Sequence, residues 1–330
     1  MSPRIELVYG AGSFSLAAPS AASNGARVNA TQDAQVIIDT FVGFHSPGTS
    51  LVIDTARGYG NGTSEKMLSQ IDVKGCRIDT KIYPSVESPA ALPNLRARLQ
   101  ESTAALGPLK IRVLYLHAPD RTGTPIEETL EAINTLHKEG HFEEFGLSNY
   151  NAWEVAEIVT LASARGWIKP TLYQGLYNAL ERGVELELFP CLHKFGIKFY
   201  AYSPLASGLL TAKVVSSDLS APGGRWDPNT SSLAGFLRNQ YEPLLPAARK
   251  LKEGLDAHGI SLSNAAQRWL QHHSGLKPEY GDAVVIGASS LLQLQANLRD
   301  CDDGPLPEPA VKLMEEAWLA TKAHVRHYAF

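Results

Sequence analysis

Four side chains in this sequence, Asp54, Tyr59, Lys81 and His117, could together move a proton. A phenol titrates near roughly 10 and is by itself a poor acid for protonating a developing alkoxide. A neighbouring ammonium favours the phenolate and makes the phenol a better donor, and Lys81 can supply that charge. Asp54 can pair with Lys81, keeping it charged and oriented, and a neutral His117 can hydrogen-bond a carbonyl oxygen. Acid catalysis of this kind is worth about 10²- to 10⁴-fold in rate. The electrons would have to come from a hydride donor, because no cluster here has the makings of a redox metal site. Taken singly, each residue has a plainer reading: an aspartate in a turn, a solvated lysine, a hydrogen-bonded histidine. Chemistry follows only if the fold brings the four together.

The elements that must do so can be read from the pattern. Eight short apolar or β-branched runs, at 5–9, 51–54, 77–80, 113–116, 144–147, 171–174, 198–202 and 283–286, read as buried parallel strands. Helical stretches separate them. Thr31 is expected to cap the first and Ser64-Glu65 to open the second. A third is expected over 88–106. The next begins with Pro125 at its first position, carries Ile126, Leu130, Ile133 and Leu136 on one face, and stops at Gly140. Helices over 151–165 and 185–195 stop at Gly166 and Gly196. Strand–helix alternation demands right-handed parallel crossovers, and eight strands give a closed (β/α)8 TIM barrel, an α/β fold in one domain over 1–330. Residues 203–239 break the rhythm as a long Gly-, Pro- and Ser-rich loop after the seventh strand, and loops of that length are usually functional. Helices over 241–258 and 261–273 precede the last strand, and a C-terminal helix near 309–321 follows it.

Barrel enzymes work at the C-terminal ends of their strands. There this sequence puts Asp54, Lys81, His117, Ser148-Asn149, Gln174, Tyr202-Ser203 and Gly287 with Ser289-Ser290, and Tyr59 follows Asp54 closely. Almost every strand delivers a polar group to one mouth.

Composition narrows the class. A net charge of −4 with both signs mixed argues against a nucleic-acid or anionic-membrane partner. The apolar fraction of 44% and charged fraction of 19% suit a globular enzyme. Cys76, Cys191 and Cys301 are scattered and form no CxxC pair, so free thiols are expected and no metal site. No signal peptide or membrane-length apolar run is visible, and a cytoplasmic protein is expected. Gly10-Ala-Gly12 hints at a dinucleotide fingerprint, but Ser15 stands where its third glycine belongs. Gly58-Tyr-Gly-Asn-Gly62 lacks a phosphate-loop lysine, and Gly140 interrupts the zinc-like spacing of His137 and His141.

The segments Asp54-Thr-Ala-Arg-Gly-Tyr59, Thr80-Lys81, Leu116-His-Ala-Pro-Asp120, Gly146-Leu-Ser-Asn149 and Tyr202-Ser-Pro-Leu205 resemble the aldo-keto reductases over nearly the whole chain. Leu116–Asp120, Trp153–Thr160 and Phe189–Leu192 are most similar to the branch of aflatoxin-aldehyde and succinic-semialdehyde reductases. The resemblance implies a tetrad of Asp54, Tyr59, Lys81 and His117, with Tyr59 as general acid and NADPH as cofactor. It implies that Ser148, Asn149 and Gln174 hold the nicotinamide carboxamide and that Tyr202 stacks on the ring. Ser203, Leu205, Ser207 and Gly208 would lie along the pyrophosphate, with Lys213 and Arg225 clasping the cofactor. Gly287, Ser289, Gln293 and Asn297 would surround the adenosine 2′-phosphate, which a helix N-terminus suits. Phe14, Tyr83 and Trp226 are candidate walls for a small carbonyl substrate, and a homodimer is possible.

The family pattern is not matched everywhere. Ala296 stands where an acidic residue often precedes the last asparagine. The Tyr-x-x-Arg pair that grips a substrate carboxylate in the semialdehyde-reducing relatives reads Leu237-Arg-Asn-Gln240, and the terminal arginine is absent. A neutral or aromatic carbonyl is therefore expected in preference to succinic semialdehyde. Two other functions share this barrel. A cofactor-binding regulatory subunit similar to the potassium-channel β subunits would keep the same tetrad, but no long N-terminal extension precedes the first strand. An aldolase forming a Schiff base through Lys81 would need a lysine with a depressed pKa, which Asp54 opposes.

Overall fold

The computed structural model describes residues 5–17, 26–84, 90–217, 219 and 225–330. Strands β1 (Glu6–Gly10), β2 (Val52–Asp54), β3 (Arg77–Ile82), β4 (Ile111–Leu116), β5 (Glu144–Ser148), β6 (Pro170–Leu176), β7 (Lys198–Tyr202) and β8 (Ala283–Gly287) pair in parallel, each with the next. β8 closes on β1, with Glu6 opposite Ala283 and Gly10 opposite Gly287. Helices α1 (Thr31–Phe44), α2 (Ser64–Leu68), α3 (Leu92–Leu106), α4 (Ile126–Lys138), α5 (Ala152–Arg165) and α6 (Leu188–Phe195) make the crossovers from β1 to β7. The β7–β8 connection carries α7 (Ala212–Ser216), α8 (Ala234–Tyr241), α9 (Leu245–Asp256) and α10 (Leu262–His272). α11 (Leu291–Asp302) and α12 (Glu308–Thr321) follow the barrel. This is the expected (β/α)8 barrel with its C-terminal helix.

Alternation along the strands builds two cores. Val8, Val52, Val113, Tyr115, Leu172, Tyr200, Ala283 and Val285 fill the barrel. Their strand neighbours, among them Ile53, Leu114, Leu116 and Ile286, belong to the larger core beneath the helices. Each fully buried aliphatic side chain of this kind contributes about 1.5–3 kcal/mol of transfer free energy.

Prolines explain where several helix boundaries differ from the periodicity. Pro93 is tolerated only in a first turn, which fits a helix beginning at Leu92; position 88 lies outside the described residues. A helix begun at 185 would put Pro190 beyond its first turn, and α6 begins at Leu188 instead. The helix expected over 241–258 opens as a 3₁₀ turn at Glu242–Leu244 that includes Pro243 and continues as α9, whose first turn holds Pro246. Pro125 takes the extended N-cap position of α4, one residue earlier than expected, and Ala30 rather than Thr31 precedes α1. The stretch read as a structureless loop also contains α7 and α8, too short at five and eight residues to show periodicity.

Gly146 is dictated by packing. Tyr115 is its partner in the β4–β5 register, and the Tyr115 ring lies 2.3 Å from where a Cβ on Gly146 would stand. Gly146→Ala is expected to destabilise the fold by about 1–3 kcal/mol through overpacking, read as a lower urea midpoint with unchanged m-value. An unchanged midpoint would mean that the Tyr115 ring can yield.

Candidate active site

Asp54 and Lys81 end up side by side because β2 and β3 are adjacent, with Asp54 opposite Asp79 and Lys81 one inward position further on. The Lys81 ammonium is fully buried. It donates to both Asp54 oxygens, at 2.7 and 2.6 Å, and to the Thr55 carbonyl at 2.8 Å. An ammonium has three protons, so each has an acceptor. Burial works against the charge on Lys81, but Asp54, Tyr59 and Asp79 outweigh it and hold its pKa above the usual lysine value. Below this pair, Asp79 is clasped by Arg112 within the barrel. Burial pushes the Asp79 carboxyl up to about 6 against the pull of Arg112.

Tyr59 comes to the ammonium through a tight loop. Lys81 Nζ is 5.0 Å from the centre of its ring. Gly60 follows at φ +57, and a Cβ there would meet the Phe14 carbonyl oxygen at 2.4 Å, so the turn that presents Tyr59 requires glycine. Arg57 braces the same turn by donating to Glu65 and Gly62, while buried Glu65 accepts from Thr80 Oγ1 at 2.6 Å. The loop is thereby tied to β3 one residue before Lys81. His117 completes the cluster, its ring edge-on to Tyr59 at 5.8 Å and to Tyr83 at 5.7 Å. Desolvation, with the Lys81 charge adding to it, pushes the His117 pKa down to about 3. Even a fraction of that displacement keeps the imidazole neutral at pH 7.

Gln174 Nε2 donates to Asp54 Oδ1 at 2.9 Å. Asn149 adopts φ +65 and bridges three strand ends, donating to the His117 carbonyl at 2.8 Å and to Ser148 Oγ at 3.0 Å and accepting from the Tyr202 hydroxyl at 2.8 Å. Beyond Tyr202, Ser203, Ala206, Ser207 and Gly208 all have positive φ, and the Leu205–Gly208 turn follows Pro204. Lys213 is exposed on α7. An Arg225 nitrogen lies 3.3 Å, and the Tyr59 ring 3.6 Å, from the Cβ position of Gly12. Across the mouth, Asn297 Nδ2 donates to the Gly287 carbonyl at 3.1 Å, and Ser289 donates through N and Oγ to Gln293 Oε1. Ser290 caps α11 by accepting from Gln293 N.

The three candidate pocket walls separate. Tyr83 is 53% exposed beside His117. Phe14 has no exposed surface and packs on Tyr9, so nothing entering the mouth can touch its ring. Trp226 is also buried, donating to the Ser207 carbonyl and packing on Tyr241. Arg238 bonds the Leu219 carbonyl. The C-terminal segment does bring an arginine to the mouth: Arg326 lies beside Tyr202 and over the Phe236 and Phe330 rings. Nothing in the local sequence of that tail marks it.

The aldo/keto reductase family model matches residues 6–319. An aldo-keto reductase of Pseudocercospora fijiensis is 45% identical over 285 residues, 84% of this chain and 95% of that protein. The chain belongs to the aldo/keto reductase family. Human aldo-keto reductase family 7 member A3 is 45% identical over 280 residues, covering 81% of this chain and 84% of the relative. Human aflatoxin B1 aldehyde reductase member 2 is 44% identical over 280 residues, covering 81% and 77%. Members of the aldo/keto reductase family are oxidoreductases acting on carbonyls and generally use a nicotinamide dinucleotide. No helix among the described residues of this member is long and apolar enough to cross a membrane.

Burial of neutral His117 has a consequence for stability. The folded pKa lies below the unfolded value of about 6.5, so the unfolded chain binds the extra proton and stability falls with falling pH in that window. His117→Asn should flatten the pH dependence of the unfolding free energy between about 6.5 and 4 by up to roughly 1.4 kcal/mol per pH unit. Urea titrations at several pH values measure it; an unchanged slope would mean that His117 titrates alike in both states.

Proposed function

We propose that this aldo/keto reductase reduces aldehydes or ketones to alcohols, with NADPH as hydride donor and Tyr59 as proton donor. The observation that carries the reading is the buried Lys81 ammonium, saturated by Asp54 and Thr55, with the Tyr59 ring 5.0 Å away and a neutral His117 edge-on to it. When bound, the nicotinamide supplies the hydride to the carbonyl carbon. Tyr59 gives its hydroxyl proton to the carbonyl oxygen as that oxygen gains the electron pair. Lys81 stabilises the phenolate left behind, and Asp54 keeps Lys81 charged and aimed. Neutral His117 hydrogen-bonds the carbonyl oxygen and places it against Tyr59. Because Lys81 is held protonated, it is unsuited to form a Schiff base.

The residues round the mouth fit a phosphorylated dinucleotide. Ser148, Asn149 and Gln174 offer amide and hydroxyl groups at the strand ends for the carboxamide, and Tyr202 offers a ring beside them. The turn through Ser203, Leu205, Ser207 and Gly208 holds Ser203, Ser207 and Gly208 at positive φ, a backbone geometry of the kind that cradles anions. Arg225, beside Gly12, and the exposed Lys213 on α7 add positive charge for the phosphates. At the far side Gly287, Ser289, Gln293 and Asn297 surround the start of α11, a 12-residue helix whose positive end suits the 2′-phosphate and so favours NADPH over NADH. Tyr83 borders the space for the carbonyl substrate. In this reading the whole chain is one catalytic barrel working in the cytoplasm, and sedimentation would show whether it pairs as a homodimer.

Turnover is followed as loss of reduced-nicotinamide absorbance with an aromatic aldehyde. Tyr59→Phe is expected to lower kcat/KM by about 10²- to 10⁴-fold while leaving NADPH affinity unchanged. Wild-type protein that binds NADPH yet turns over no member of a broad carbonyl panel would overturn the reductase reading in favour of a regulatory cofactor-binding subunit.

A further inference from the structure

Glu181 is nearly fully buried, and no ion pair to it occurs among the described residues. An isolated buried carboxylate is expensive unless hydrogen bonds replace its water. Here they do, and they come from two parts of the chain, Asn178 close by and Gln240–Tyr241 at the end of α8. Oε2 accepts from Asn178 Nδ2 at 2.8 Å and from the Tyr241 hydroxyl at 3.1 Å, and Oε1 accepts from Gln240 Nε2 at 2.8 Å. Asn178 Nδ2 also donates to the Ser203 carbonyl at 3.1 Å. Tyr241 packs on Trp226, which donates to the Ser207 carbonyl. Glu181 thus holds the β7–β8 connection at two points: at Ser203, through Asn178, where it leaves the barrel, and at Gln240–Tyr241, where α8 ends. Between these points Ser203, Ala206 and Ser207 sit in left-handed conformations that non-glycine residues hold only when their surroundings enforce them.

We propose that Glu181 is the positioning residue that fastens the Ser203–Gly208 turn and the end of α8 at the barrel mouth and thereby sets how slowly the dinucleotide leaves. The inference rests on the proposed cofactor site, since Ser203, Ser207 and Gly208 lie in the fastened turn. Opening the connection separates Glu181 from Gln240 and Tyr241 and leaves a buried carboxylate with Asn178 as its one hydrogen-bond donor beside the Arg326 charge, which supplies a barrier to release. Glutamine at this position keeps the shape but points an amide at the amides of Asn178 or Gln240.

Hydrogen exchange of the dinucleotide-free protein tests the clamp directly. Glu181→Gln is expected to speed exchange in 205–212 and 234–241 about tenfold while leaving β2 and β3 unchanged. NADPH release, measured by stopped-flow displacement, should accelerate by a similar factor of about ten. Tyr241→Phe and Gln240→Ala remove single partners without touching Glu181 and should each produce part of both effects. Burial raises the Glu181 pKa, with Asn178, Gln240, Arg326 and Tyr241 pulling it back and Tyr202 also facing it. Release from the wild type should therefore quicken as pH falls towards the carboxylate range, and release from Glu181→Gln should not. Exchange that stays at wild-type rates in all three variants would overturn the clamp. Exchange that rises in a protein without affinity for NADPH would keep the clamp and remove the cofactor reading instead. Faster exchange with unchanged NADPH release would sink the claim that the clamp governs residence.

Discussion

The buried pairing of Lys81 with Asp54 is the constraint on which the rest of the site depends. Withdrawing two charges from water costs several kcal/mol per ion, and attraction offsets this only where geometry is close and every remaining proton finds an acceptor. Here Asp54 occupies two ammonium protons and the Thr55 carbonyl the third, while Gln174 holds Asp54 from the opposite strand. That arrangement requires β2, β3 and β6 to stand at fixed positions round one axis, which a closed barrel provides and an isolated strand pair does not. The barrel interior below is filled by side chains such as Val52, Val113, Tyr115 and Leu172 around the Asp79–Arg112 pair.

Around this fixed centre the chemistry is brought in by loops, and each loop is tied down by a different device. The Tyr59 turn depends on the conformational freedom of Gly60 and on Arg57 and Glu65, which link it to Thr80 beside Lys81. Asn149 links three strand ends through one side chain, reaching His117, Ser148 and Tyr202. In the β7–β8 connection Gln240 and Tyr241 donate to buried Glu181, and Asn178 joins that carboxylate to Ser203. Under the proposed function, rigidity at the tetrad with a connection above it that can let go is the combination needed to react out of water and still exchange a large cofactor.

Strands were the most legible part of the sequence, because buried parallel strands are short continuous apolar runs and all eight announced themselves. Helix ends were less so: Pro93, Pro190, Pro243 and Pro246 shift them by several residues, and periodicity alone does not weigh a missing N–H. Short α7 and α8 left no periodic trace. The tetrad could be picked out because Asp54, Lys81 and His117 sit at strand ends, which fold class alone makes meaningful. Phe14 could not be told from a pocket wall, since an aromatic after β1 fits the outer core and the mouth equally well. Glu181 and Arg326 escaped notice, and Glu65 reads only as the opening of a helix, because their partners, Gln240, Tyr241, Tyr202 and Thr80, are distant in sequence or offer no charge of opposite sign.

The most direct measurement is a double-mutant cycle on the buried pair, with unfolding free energy and turnover read on the same proteins. Lys81→Met alone leaves Asp54 buried and uncompensated and should cost about 3–5 kcal/mol and abolish turnover. Combining Lys81→Met with Asp54→Asn should recover most of the stability and none of the activity, marking a charge pair retained for its chemistry. A double variant that is both stable and active would contradict the central role assigned to the Lys81 ammonium.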